Sequence, residues 1–152
     1  KLLYFCQEAK GIKLGANFLQ QRAGPYDPKL AREVDMYLEH YDMYLFDETV
    51  KLKYRLLQKY GSHKAEYNKL PKAERDTIST VIDLFRKTMS HEIGMYATLH
   101  AVWKKAKGNI SMISDELLLR GFFDWSEEKK DKYSRDEVMR GIRWMEEQGM
   151  IK

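Results

Sequence analysis

Two tripeptides early in the chain, Glu8-Ala9-Lys10 and Asp27-Pro28-Lys29, place an acid two residues before a lysine. Metal-dependent nucleases use that order: carboxylates hold a hard cation, and the lysine stands beside the attacked phosphate. The arrangement works from a strand, with a second acid on its neighbour. Here one tripeptide falls inside a helical pattern and the other at a helix start. His91-Glu92 opens like the HExxH helix of zinc proteases, but Met95 occupies the second histidine's place, and His100 lies beyond the usual spacing. One cysteine and four histidines form no zinc pattern. Cys6 sits on an apolar helix face, the setting of an inert buried thiol. A G-x-S-x-G elbow, a Walker loop and a Rossmann fingerprint are all missing. The expectation is a protein that is not an enzyme and takes no metal and no cofactor.

Two other groups of residues stand out. The first is Arg22-Ala23-Gly24-Pro25-Tyr26-Asp27-Pro28. It reads as a loop that stops one element and starts the next. Gly-Pro sets the backbone direction, Asp27 can cap a helix, and Pro28 suits that helix's first position. Arg22, Tyr26 and Asp27 then either form a specific contact with a partner or brace the fold. The second group is basic. Between Lys51 and Arg75 there are eight Lys/Arg against two Glu. Lys51, Lys53, Arg55 and Lys59 supply charge where DNA phosphate or an acidic protein could bind; the alternative is a solvated lysine-rich face. Tyr37, Tyr41, Tyr44 and Tyr54 lie close by, able to stack on bases, anchor a protein contact or pack a core.

The elements that carry these groups follow from periodicity. Leu2, Leu3, Phe5, Cys6 and Ala9 make a helical stripe closed by Gly11. Phe18 to Arg22 reads as a short extended stretch. A helix follows Asp27 to about His40, with Leu30, Val34, Leu38 and Tyr41 on one side. From Tyr44 to Leu57 apolar residues alternate with charges, which predicts a hairpin turning near Asp47 to Thr49. Beyond Ser62 the chain reads helical. Pro71 opens one helix, and Ser90 starts another that stops at Gly108. A short helix begins at Ser114 and ends before Gly121. A last helix opens with the capping box of Ser134 and Glu137 and ends at Gly149. The fold class expected is mainly α (α+β): a winged-helix-like half with one β-hairpin over residues 1–60, then a helical bundle over 61–152, in a single compact domain.

Size and composition agree. A chain of 152 residues that is 43% hydrophobic supports one core, and the net charge of +4 is a mild basic excess. No run approaches the roughly 18 apolar residues of a membrane span, and no signal peptide is visible. The single cysteine fits a reducing, cytoplasmic setting. Because the chain opens inside a helical pattern without an initiating Met, it reads as a fragment of something longer.

Taken in order, several segments resemble a known module. These are Lys1-Leu2-Leu3-Tyr4-Phe5, Leu14-Gly15-Ala16-Asn17-Phe18 and Arg22-Ala23-Gly24-Pro25-Tyr26-Asp27. The distal part adds His91-Glu92-Ile93 through Trp103, then Phe123-Asp124-Trp125-Ser126-Glu127-Glu128-Lys129-Lys130, then Trp144 through Ile151. The set is similar to the C-terminal accessory module of type I restriction-modification specificity subunits. It also resembles the C-terminal domain of antitoxins that oppose DNA ADP-ribosylating toxins. The resemblance implies bacterial defence and a non-catalytic role. The partners it implies are methyltransferase and restriction subunits together with DNA backbone, or alternatively a toxin protein neutralised by contact. Target-recognition domains, coiled-coil spacers and a macro-domain pattern are absent from the sequence, so neither DNA sequence readout nor ADP-ribosyl hydrolysis is implied.

Overall fold

The computed structural model describes residues 1–47, 49, 54–109 and 112–151. Its backbone divides into two units, one made of Lys1–Tyr26 with Thr80–Lys152, the other of Asp27–Ser79. These boundaries do not follow the 1–60 and 61–152 halves. The first stretch of chain packs with the distal helices, because its aromatic residues find their partners there.

In the first unit, helix α1 (Leu2–Tyr4) continues as a π-helical turn over Phe5–Ala9, and Gly11 follows at φ +76°. A hairpin comes next, β1 (Leu19–Gln21) paired antiparallel with β2 (Gly24–Tyr26). The extended stretch is therefore the first arm of a hairpin, and Gly-Pro-Tyr is a strand rather than a loop. Proline is tolerated there because a two-stranded ribbon offers an edge where no N–H is needed. One expected hairpin becomes two.

Five further helices act around this hairpin: α4 (Lys72–Phe85), which enters the unit at Thr80, α5 (Ser90–Lys107), α6 (Asp115–Phe123), α7 (Glu127–Lys132) and α8 (Arg135–Glu147). Helix α5 is the axis. Every residue from Gly94 to His100 is buried, so it is covered on all sides. Phe5, Leu99, Leu119, Phe122, Ile142 and Met145 fill the core, each contributing about 1.5–3 kcal/mol through apolar burial. Phe5 stacks on Phe85 at 4.6 Å, and Tyr96 on Trp144 at 4.3 Å. Gly121 lies inside α6 rather than beyond its end. A Cβ there would stand 2.5 Å from Val102 Cγ1 of α5, so packing keeps a glycine that local propensity reads as a stop.

Sequence-level starts are mostly confirmed. The Ser134–Glu137 capping box forms, and Ser114 Oγ accepts from Leu117 N at 3.2 Å. The cap of α5 is Met89 instead of Ser90, with the Glu92 carboxylate accepting from Met89 N at 3.0 Å.

The second unit holds α2 (Pro28–His40), the hairpin β3 (Tyr44–Phe46) and β4 (Tyr54–Leu56), α3 (Lys64–Tyr67) and the start of α4. Asp27 caps α2 by accepting from Lys29 N and Leu30 N, both at 3.0 Å, with Pro28 opening the helix. The β3–β4 pairing is antiparallel, with Leu45 opposite Arg55. Asp47 Oδ1 accepts from Thr49 N at 2.9 Å, the local bond expected of a turn residue. The chain is thus mainly helical with two small antiparallel hairpins. Among the described residues, no helix is long and apolar enough to cross a membrane.

Candidate functional site

The segment 20–23 and the turn between α6 and α7 lie about a hundred residues apart in sequence and meet along one line of polar contacts. Gln20 Nε2 donates to the Trp125 carbonyl at 3.3 Å, and Trp125 Nε1 donates back to the Gln21 carbonyl at 2.8 Å. Ser126 Oγ donates to the Arg22 carbonyl at 2.9 Å. Lys129 Nζ donates to the Ala23 carbonyl at 3.1 Å. Arg22 Nε reaches Glu128 Oε2 at 2.8 Å. Four successive residues of the hairpin segment are thereby fixed to four residues of the turn and the start of α7.

The contacts differ in strength. Arg22 keeps a side-chain exposure of 81%, so its ion pair is a weak, solvent-screened contact. The hydrogen bond from Arg22 also holds the Glu128 carboxyl below the usual range. Lys129 is a different case, only 2% exposed. Burial pushes its ammonium down to about 8, with Lys1 adding to the effect and Glu128 opposing it. The charge is compensated by the Ala23 carbonyl and by the faces of Phe122 and Tyr133, at 5.4 and 5.3 Å. Removing that carbonyl's position would strand a buried cation, which couples the hairpin's placement to the core.

Gly24 completes the attachment. It has φ +128°, and a Cβ there would stand 3.0 Å from Thr98 Oγ1 of α5. Gly24 and Pro25 are buried, whereas Leu19 and Tyr26, directly opposed across the hairpin, stay 47% and 46% exposed. The result is a small rigid platform presenting one apolar pair. Two clefts flank it within the same unit. One, of about 340 Å³, is lined by Phe18, Leu19, Pro25, Lys104 and Trp125. The other, of about 380 Å³, is lined by Val102, Lys105, Leu117, Arg120 and Trp125. Trp125 borders both.

Burial works against the charge of Glu8, but hydrogen bonds from Lys104 and Gln7 hold its carboxyl below the usual range. Asp27 is committed to its cap. Cys6 is buried, and burial raises its thiol. His100 is buried and shares a hydrogen bond with Tyr4 Oη through Nδ1 at 2.9 Å. Among the described residues, no group of three His, Cys, Asp or Glu could hold a metal ion.

The sequence-level site residues fall in both units. Arg22 and Tyr26 belong to the first unit, and Asp27, Arg55 and Lys59 to the second. Lys51 and Lys53 lie outside the described residues. Farther along the basic segment, Lys69 pairs with Glu66 at 2.6 Å and Lys72 with Asp76 at 2.5 Å, neutralising part of its charge. Sequence reasoning missed Trp125 and Lys129 as members of the site. Both stand in a segment singled out for its resemblance, yet nothing there says which backbone they hold.

Comparison with protein-family models, with curated proteins and with solved structures returns no match for this chain.

Proposed function

We propose that this chain is a non-catalytic docking module that presents the Leu19–Tyr26 platform to partner proteins. In keeping with the sequence resemblance, the partners are the methyltransferase and restriction subunits of a type I restriction-modification assembly, and the setting is cytoplasmic. The supporting observation is the bracing of the hairpin by Trp125, Ser126, Glu128 and the buried Lys129, which commits four side chains to holding an exposed apolar pair in place. A rigid aromatic anchor loses little entropy on binding, which is what a protein contact requires. Mixed with those subunits, the chain is expected to co-elute with them. The double substitution Leu19→Ser with Tyr26→Ser is expected to weaken the complex at least tenfold, or about 1.4 kcal/mol, without changing the melting temperature. Equal affinity for the double variant counts against the platform. Capture of a toxin in place of those subunits moves the module to the antitoxin reading.

The same proposal gives α2 and the β3–β4 hairpin a winged-helix-like role on DNA backbone, with Lys51, Lys53, Arg55 and Lys59 as phosphate contacts. Each such contact contributes roughly −0.9 to the slope of log affinity against log salt. Neutralising all four is expected to flatten that slope by about 3 to 4, as read by fluorescence anisotropy on a duplex. Binding that does not respond to salt rejects the wing as a DNA contact.

A further inference from the structure

The clefts of about 380 and 340 Å³ beside the platform share Gln20, Lys105 and Trp125, so they adjoin as one open trough around the Trp125 side chain. In the larger cleft, Val102 and Ala106 of α5, Leu117 of α6 and Trp125 are half-buried and make an apolar floor. Two exposed cations border that floor, Lys105 from α5 and Arg120 from α6. Among the described residues, neither forms an ion pair. The acids nearby are already engaged. Glu8 is held by Lys104 and Gln7, and Glu116 pairs with Arg135 at 2.6 Å. Asp124, the acid of the larger cleft, joins Glu127 in raising the Lys130 ammonium, Glu127 contributing more.

We infer that this trough takes an acidic, apolar peptide segment of the partner protein. Its apolar side chains sit on either side of Trp125, and its Asp or Glu carboxylates meet Lys105 and Arg120. The inference rests on the docking reading and names the chemistry of what lands beside Leu19 and Tyr26. Charge complementarity carries it. An apolar floor bordered by two cations without acid partners matches a segment that brings apolar surface and negative charge together. Arg120 can hold a carboxylate through two parallel hydrogen bonds, which are stronger than neutral ones. A basic segment would set like charges side by side, and a neutral one would desolvate both cations without compensation. The shape calls for a chain. A site for a small molecule encloses most of its ligand, whereas these clefts are open and adjoining. Duplex DNA fits poorly, because a phosphate backbone gains nothing from the floor of Val102, Ala106 and Leu117. Tryptophan and arginine are also the side chains on which protein contacts most often concentrate their energy.

Selection of a random phage-displayed peptide library on the intact chain tests this. Enriched sequences are expected to place Asp or Glu beside apolar residues. A synthetic peptide of the enriched sequence should bind less tightly as salt rises. The double substitution Lys105→Glu with Arg120→Glu changes exposed side chains and should leave the melting temperature unchanged. It is expected to weaken that peptide roughly tenfold or more. Exchanging the peptide's acids for lysine should restore binding to the double variant. Enriched peptides without acids overturn the inference, as does a selection that enriches nothing or an affinity that the double variant leaves unaltered. A labelled DNA duplex that binds the intact chain more tightly than the peptide, and is released by the same double variant, overturns it too. The docking reading fails separately, when the subunits bind the Leu19→Ser, Tyr26→Ser chain as well as the wild type.

Discussion

Acidification from pH 6.5 to pH 4 is expected to remove on the order of 3 kcal/mol of stability through His100 alone. The side chain is 1% exposed, and its Nδ1 shares a hydrogen bond with Tyr4 Oη. Burial pushes the imidazole from 6.5 down to about 4; Lys104 lowers it further, and Glu8 opposes. The folded state therefore favours the neutral ring. Above pH 6.5 both states are neutral, and the contribution is complete. Between 6.5 and 4 the unfolded chain binds the proton and the folded chain does not, so stability falls as pH falls. His100→Gln keeps an acceptor for Tyr4 without a titrating group. Denaturant unfolding at pH 7, 5 and 4 should give a steeper loss for the wild type than for the variant. Parallel curves would mean that the ring is protonated in the fold at little cost.

The second large effect belongs to Gly24. Substitution with valine asks an L residue to hold φ +128° and drives a Cβ to 3.0 Å from Thr98 Oγ1. Strain of about 1–3 kcal/mol and overpacking of similar size add to a loss of roughly 3 kcal/mol. The loss should be accompanied by detachment of the hairpin, because the strand can relieve the clash only by lifting from α5. Intrinsic fluorescence should then report Trp125 losing its bond to the Gln21 carbonyl, which lies at 2.8 Å in the native chain. Trp125→Phe removes that bond alone and should cost about 1 kcal/mol. A Gly24→Val protein as stable as the wild type would show that the hairpin is not seated on the core.

Much of the helical framework is legible in the sequence because its signals are local. Asp27-Pro28, Ser114, and Ser134 with Glu137 each place a capping oxygen where the backbone needs one, and each cap forms. Alternation found the β3–β4 hairpin for the same reason. The failures are tertiary. Gly121 reads as a stop but is kept for the approach of Val102. Gly24-Pro25-Tyr26 reads as a turn because both leading residues break regular structure, yet pairing with Leu19–Gln21 makes it a strand. The site itself was half visible. Arg22 and Tyr26 stood out by type, whereas the bonds that fix them run from Trp125, Ser126 and Lys129 to backbone carbonyls. A carbonyl acceptor has no side-chain signature, so a contact across a hundred residues leaves no pattern to read.

The central claim is that the braced hairpin is the surface on which a partner lands. Amide hydrogen exchange, with and without the methyltransferase and restriction subunits, tests it most directly. The claim predicts slowed exchange on binding at residues 19–26 and 125–129, with α8 unchanged. Slowed exchange confined to other segments, with the hairpin exchanging as it does in the free chain, would contradict it.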